Sequence, residues 1–239
     1  MLGLIVQYWI DWVAVGLGIC GGIALGRIPP PIVLFSFQDS TLSHPYIARQ
    51  SVSKSCIIVI PIAVFASVGI VTRCMYIAHN AALGLMLSNT LTYILVNVTK
   101  AFTGRLRPDW LARYALVSNR GKGQDVDHRI LNDGRRSFMS GHAGASFSAA
   151  IYTSLFLTSN LRLVEEAQAY KYFLVLMPIF AASAVSISRI TDNRHHWSDV
   201  AAGALSGSLF AIFTFLQFSY LQDNVSMSSY SNYQLINLR

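Results

Sequence analysis

Two histidines, an aspartate and a group of cations are the residues of this chain whose types and spacing suit chemistry. They fall in three short clusters, Lys100-x6-Arg107-Pro108, Ser140-Gly141-His142 and Ser188-Arg189-x5-His195-x3-Asp199. In the third, His195 and Asp199 are four residues apart, so on a helix they share a face and the carboxylate can accept a hydrogen bond from one ring nitrogen. That bond fixes the tautomer and frees the other nitrogen as a nucleophile, the base-and-orienter logic of a triad applied to histidine itself. The cations indicate what would be attacked. Arg107 precedes a proline, which biases it toward an extended backbone and projects it off a helix end. Its planar fork and the compact charge of Lys100 both suit phosphate oxygens, and Lys100 also suits the negative end of a helix dipole. Arg189 would add charge against a trigonal-bipyramidal phosphoryl transition state. Ser140 as an N-cap, Gly141 allowing close backbone approach and the free N–H groups of a first turn make an anion cradle, with His142 beside it.

Each cluster also has a plainer reading. Lys100 and Arg107 could snorkel to a membrane interface, Ser140 could be an ordinary cap, and His195 with Asp199 could be a satisfied polar pair. A zinc site from His142, His195, His196 and Asp199 uses suitable donors. Lys100, Arg107, Arg189 and Arg194 would, however, crowd a dication with positive charge, so neither a metal nor another cofactor is expected.

The elements that must hold these groups are apolar. Hydrophobic residues make up 53% of the 239, charged residues 12%, and mean hydropathy is +0.45, whereas a soluble domain carries about 25% charged residues. The chain is therefore an integral membrane protein, and charged groups clustered beside its apolar runs are functional by default. The net charge of +7 is carried mostly in the loops around the three clusters, which points to phosphate or anionic lipid and away from nucleic acid. Cys20, Cys56 and Cys74 show no metal-type pairing.

Apolar runs at Tyr8–Gly26, Cys56–Val71, Ile77–Val98, Ala143–Ser159, Tyr172–Ile187 and Val200–Leu221 predict six spanning helices and an all-α fold. The first run has no basic lead and reads as a retained helix; Pro29-Pro30-Pro31 ends it. The expected organisation is a first helix and loop over 1–53, a core of five spans over 54–221 and a flexible tail over 222–239. Ser36–Lys54 reads as a polar loop, and the long polar interval Lys100–Met139 as functional or disordered. Because successive spans alternate direction, the end of the third, the start of the fourth, the end of the fifth and the start of the sixth all emerge on one face. The three clusters can therefore meet.

KAFTGRLRP (Lys100 to Pro108), SFMSGHAGASF (Ser137 to Phe147) and SRITDNRHHWSDV (Ser188 to Val200) resemble the three signature motifs of the type 2 phosphatidic acid phosphatases, relatives of the vanadium haloperoxidases and glucose-6-phosphatase. GRLRPDWL and DSTLSHPY (Asp39 to Tyr46) resemble the fungal and plant members acting on phosphatidate and diacylglycerol pyrophosphate; the likeness covers about Asp39 to Tyr220. The resemblance implies that His195 forms a phosphohistidine, that Asp199 orients it, and that His142 protonates the leaving group and later activates water. It further implies that Lys100, Arg107, Ser140, Gly141 and Arg189 hold the phosphoryl oxygens without magnesium. Met139 stands where the family usually has proline, a change that bears on the stiffness of the helix entry.

Sidedness divides two arguments. Arg105, Arg113, Arg120, Lys122, Arg129, Arg135 and Arg136 share the face of the clusters, and the positive-inside rule alone would make that face cytoplasmic. Part of that charge is committed to phosphate, and the resemblance implies a lumenal or extracellular site in an endomembrane (endoplasmic reticulum, Golgi or vacuole) or the plasma membrane. The expectation is a membrane phosphatase acting on a lipid phosphate that arrives laterally. The other readings are a non-catalytic lipid-phosphate binder and the same chemistry on sphingoid-base phosphate, isoprenyl diphosphate or sugar phosphate.

Overall fold

The computed structural model describes residues 6–48, 51–52, 55–119, 125–161 and 168–236. Among these there are eight α-helices: α1 (Trp9–Arg27), α2 (Ser55–Val71), α3 (Met75–Thr103), α4 (Trp110–Ser118), α5 (Asp125–Gly134), α6 (Gly141–Asn160), α7 (Ala169–Thr191) and α8 (Trp197–Ile236). The six apolar runs are α1, α2, α3, α6, α7 and α8. The interval read as functional or disordered holds α4 and α5, which lie inside it as two short helices packed on each other.

The six expected spans differ in apolarity and length. Among the described residues, four helices are long and apolar enough to cross a membrane: α1, α3, α7 and Trp197–Phe218 of α8. The apolar part of α2, Ile57–Val71, is shorter. Helix α6 has 20 residues but is rich in serine and threonine, because it is enclosed by α3, α7 and α8 and needs no lipid-facing perimeter. Several of its hydroxyls are bonded inside the bundle. Ser148 bonds Ser88 of α3 at 2.6 Å, and Ser154 donates to the Val175 carbonyl of α7 at 2.7 Å.

Small residues let the central helices touch. A Cβ at Gly207 of α8 would lie 2.1 Å from the Gly144 carbonyl oxygen of α6, so the two backbones are in direct contact there. This contact draws the start of α8, with His195 and Asp199, against the start of α6, with Ser140 and His142. Helix α3 ends at Gly104, whose φ of 59° is left-handed and whose missing Cβ would stand 2.6 Å from the Pro31 carbonyl oxygen. The turn releases the chain into Arg105–Arg107. A strap over residues 28–48 crosses this end of the bundle, where Phe35, Leu42, Leu106 and Trp110 form a second small core.

Candidate active site

Helix ends converge on a cavity of about 560 Å³ lined by Lys100 from the end of α3, Arg107 from the turn after it, Gly141 and His142 from the first turn of α6, Arg189 near the end of α7, and His195. Six of the eight residues singled out in the sequence thus face one space. Ser140 and Asp199 are fully buried behind it. Ser140 caps α6, its hydroxyl accepting from the Ala143 N–H at 3.4 Å, and its own N–H donates to the Asp199 carbonyl at 3.0 Å. The cap therefore joins two of the clusters directly.

His195 differs from expectation in one bond. Its Nδ1 lies 2.7 Å from the Ser137 carbonyl oxygen and 3.9 Å from Asp199 Oδ2. A carbonyl can only accept, so Nδ1 carries the proton and Nε2 is the nitrogen available to the cavity. Asp199 acts one step removed. It accepts from Ser137 Oγ at 2.5 Å, from the His196 N–H at 2.9 Å and from Arg105 at 2.6 Å, and so fixes the segments that hold His195. Burial, with the positive charge of Arg107 and Lys100, pushes the His195 pKa down to about 4, against the opposing pull of Asp199. The ring is neutral at physiological pH.

The cations are arranged around a carboxylate absent from the sequence prediction. Arg107 forms a bidentate pair with Asp133 at 2.9 and 3.0 Å, and Arg113 and Arg194 reach the same carboxylate at 3.0 and 3.4 Å. These arginines hold the Asp133 carboxyl below its usual range although burial acts to raise it. Burial lowers the Arg107 pKa to about 10, so its guanidinium stays charged at neutral pH. Arg189 pairs with Asp192 at 3.0 Å, and the Asp192 carboxylate accepts from Ser51.

Residues given no site role in the sequence are thus Asp133 and Arg194, which line the cavity, and Arg105 and Ser137, which fix the His195 segment. The SRITDNRHH run offered Arg194 as a cation; nothing in the local pattern distinguishes Asp133 or the carbonyl of Ser137. Of the zinc donors considered, His196 turns Nε2 to the Leu106 carbonyl at 3.1 Å, and no group of three or more His, Cys, Asp or Glu converges as a metal site among the described residues.

Fold and site define an all-helical, multi-pass membrane protein with a cation-walled cavity beside two histidines at one end of the bundle. Residues 81–223 match the PAP2 superfamily. The chain is 31% identical to lipid phosphate phosphatase 1 of Arabidopsis thaliana, over 87% of this chain and 67% of the relative. It is 31% identical to the probable diacylglycerol pyrophosphate phosphatase 1 of Schizosaccharomyces pombe, over 77% and 71%, and 30% identical to diacylglycerol pyrophosphate phosphatase 1 of Saccharomyces cerevisiae, over 75% and 68%. The chain belongs to the PAP2 superfamily, and it spans about two thirds of the length of these relatives. No solved structure matches it.

Proposed function

We propose that this chain is a lipid phosphate phosphatase that hydrolyses phosphatidate or diacylglycerol pyrophosphate without magnesium, with His195 as nucleophile. One observation carries the reading: a buried, neutral imidazole whose Nδ1 proton is committed to the Ser137 carbonyl, with Nε2 left for a cavity walled by Lys100, Arg107 and Arg189. The fit to the named activities of the relatives supports it.

In the first step the Nε2 lone pair attacks phosphorus and the phosphorus–oxygen bond to the lipid breaks. His142 gives its proton to the leaving oxygen. The cations offset the charge spread over the equatorial oxygens, Gly141 lets the first turn of α6 approach them, and Ser140 caps that turn from behind the cavity. In the second step His142 takes a proton from water, the hydroxide attacks the phosphoryl group, and the phosphorus–nitrogen bond breaks to return neutral His195 and inorganic phosphate. Arg107 is held ready by Asp133, and an incoming phosphoryl group would take over that fork.

The catalytic core is residues 54–221, to which α1 adds a wall through Ile19, Ile23 and Arg27. The lipid enters from the bilayer, and the site faces the lumenal or extracytoplasmic side of an endomembrane or the plasma membrane. Purified protein in detergent with chelator should release phosphate from phosphatidate, and His195→Gln should reduce the rate by at least ~10³-fold. Substantial turnover by that variant contradicts the mechanism. In sealed vesicles of known orientation, phosphate appearing on the cytoplasmic side would contradict the sidedness.

A further inference from the structure

A second cavity, of about 480 Å³, lies between α2, α6 and α7 and is almost wholly apolar. Its walls are Ile60, Pro61 and Val64 on one side and Leu174, Met177, Pro178, Ala181 and Val185 on the other; its floor is Ser146, Ala149, Ala150, Thr153 and Leu157 of α6. It is a gap that the packing leaves open. Helices α2 and α7 each pack on α6 but scarcely touch one another, and the floor residues are small. Each wall contains a proline inside its helix, which removes a backbone hydrogen bond where the wall faces the groove.

We propose that this groove holds one acyl chain of the substrate lipid while its phosphate sits among the cations; the inference rests on the phosphatase reading above. Two observations carry it. Ile57 lines both cavities, and the phosphate cavity reaches Ala145 where the groove begins at Ser146, so the two adjoin. The groove starts one helical turn below His142 and follows α6 to Leu161, a run of about 22 Å at 1.5 Å per residue. A monolayer of hydrocarbon is about 15 Å deep, so the groove is long enough for an extended chain anchored at its head.

Filling the groove tests this. Ala181 is an exposed residue of its α7 wall, so Ala181→Trp occupies the space without entering the core, and Val64→Trp fills it from α2. Phe180→Trp, exposed on α7 but outside the groove, is the control. Each variant is assayed on dioleoyl and on water-soluble dihexanoyl phosphatidate. Both groove variants should raise KM for the long-chain lipid about tenfold and leave short-chain hydrolysis at the wild-type level, with the control unchanged on both. Equal effects on the two substrates, or none on either, overturn the proposal; the latter is the result if the groove holds only bulk bilayer lipid. Wild-type protein that hydrolyses neither substrate would instead remove the phosphatase reading.

Discussion

The two ends of α3 each hold a buried histidine, and they are made differently. His79, in the first turns, has both nitrogens engaged: Trp12 of α1 donates to Nε2 at 3.1 Å, and Nδ1 lies 3.2 Å from Asn80 Oδ1. Tyr8 and Tyr76 bond each other beside it at 3.1 Å. The ring is a polar bolt between two helices. His195, beside the far end of α3, is 4% exposed, against 8% for His79, yet has only Nδ1 committed, to a carbonyl that fixes its tautomer. Cations surround it where aromatic rings surround His79. Burial is common to both residues; the spare nitrogen facing a charged cavity belongs to His195.

Substitution at the two positions should separate the roles by the widest margin. His195→Gln is expected to remove phosphate release, a loss of at least ~10³-fold, with the folded protein retained. His79→Gln should leave kcat within about threefold and lower stability by about 1 kcal/mol, through lost hydrogen bonds. Comparable activity losses at both sites would erase the distinction. Next in size is His142→Gln, for which general acid loss predicts a fall of ~10²–10⁴-fold on phosphatidate. On an aryl phosphate, whose leaving group needs no proton, the first step should fall far less, read as a larger burst relative to turnover. An equal loss of that burst would deny His142 its role as acid.

Asp199→Asn should have an intermediate effect. It keeps the shape of the group that anchors Ser137 and the His196 N–H but removes the charge facing Arg105, whose side chain is 39% exposed. We expect kcat to fall by about 10–100-fold with KM little changed, since the residue positions the nucleophile and does not touch the phosphate. A rise in KM alone would place it among the binding groups. The smallest effect concerns pH. Because the folded pKa of His195 is depressed from 6.5 to about 4, the unfolded chain binds a proton that the native state refuses. Its contribution to stability is full above the unfolded pKa and is lost as pH falls from about 6.5 to about 4, on the order of 3 kcal/mol. Melting in detergent should be less acid-sensitive over that window in His195→Gln; identical slopes would show that His195 titrates normally.

The helices and the clusters were legible in the sequence for different reasons. Long apolar runs are statements about solvent, so α1, α3, α7 and α8 stand out by composition. Helix α6, read as the run Ala143–Ser159, is less apolar, since protein replaces lipid around it and serines such as Ser148 become tolerable. The convergence of Lys100, His142 and His195 follows from helix direction alone. The groups that tune them do not. Asp133 gathers three arginines only because α5 folds back over the turn at Arg107, and Ser137 orients His195 through a carbonyl, which every residue possesses. The direct His195–Asp199 bond read from four-residue spacing is a longer 3.9 Å approach because His195 lies in the turn two residues before α8, outside the helix that would have aligned the pair.

The central claim is that His195 Nε2 takes the phosphoryl group. Wild-type protein mixed with phosphatidate carrying labelled phosphate and quenched within one turnover should yield an acid-labile, alkali-stable label on the peptide containing His195, and His195→Gln should yield none. Label on another residue, or undiminished label in the variant, would contradict it.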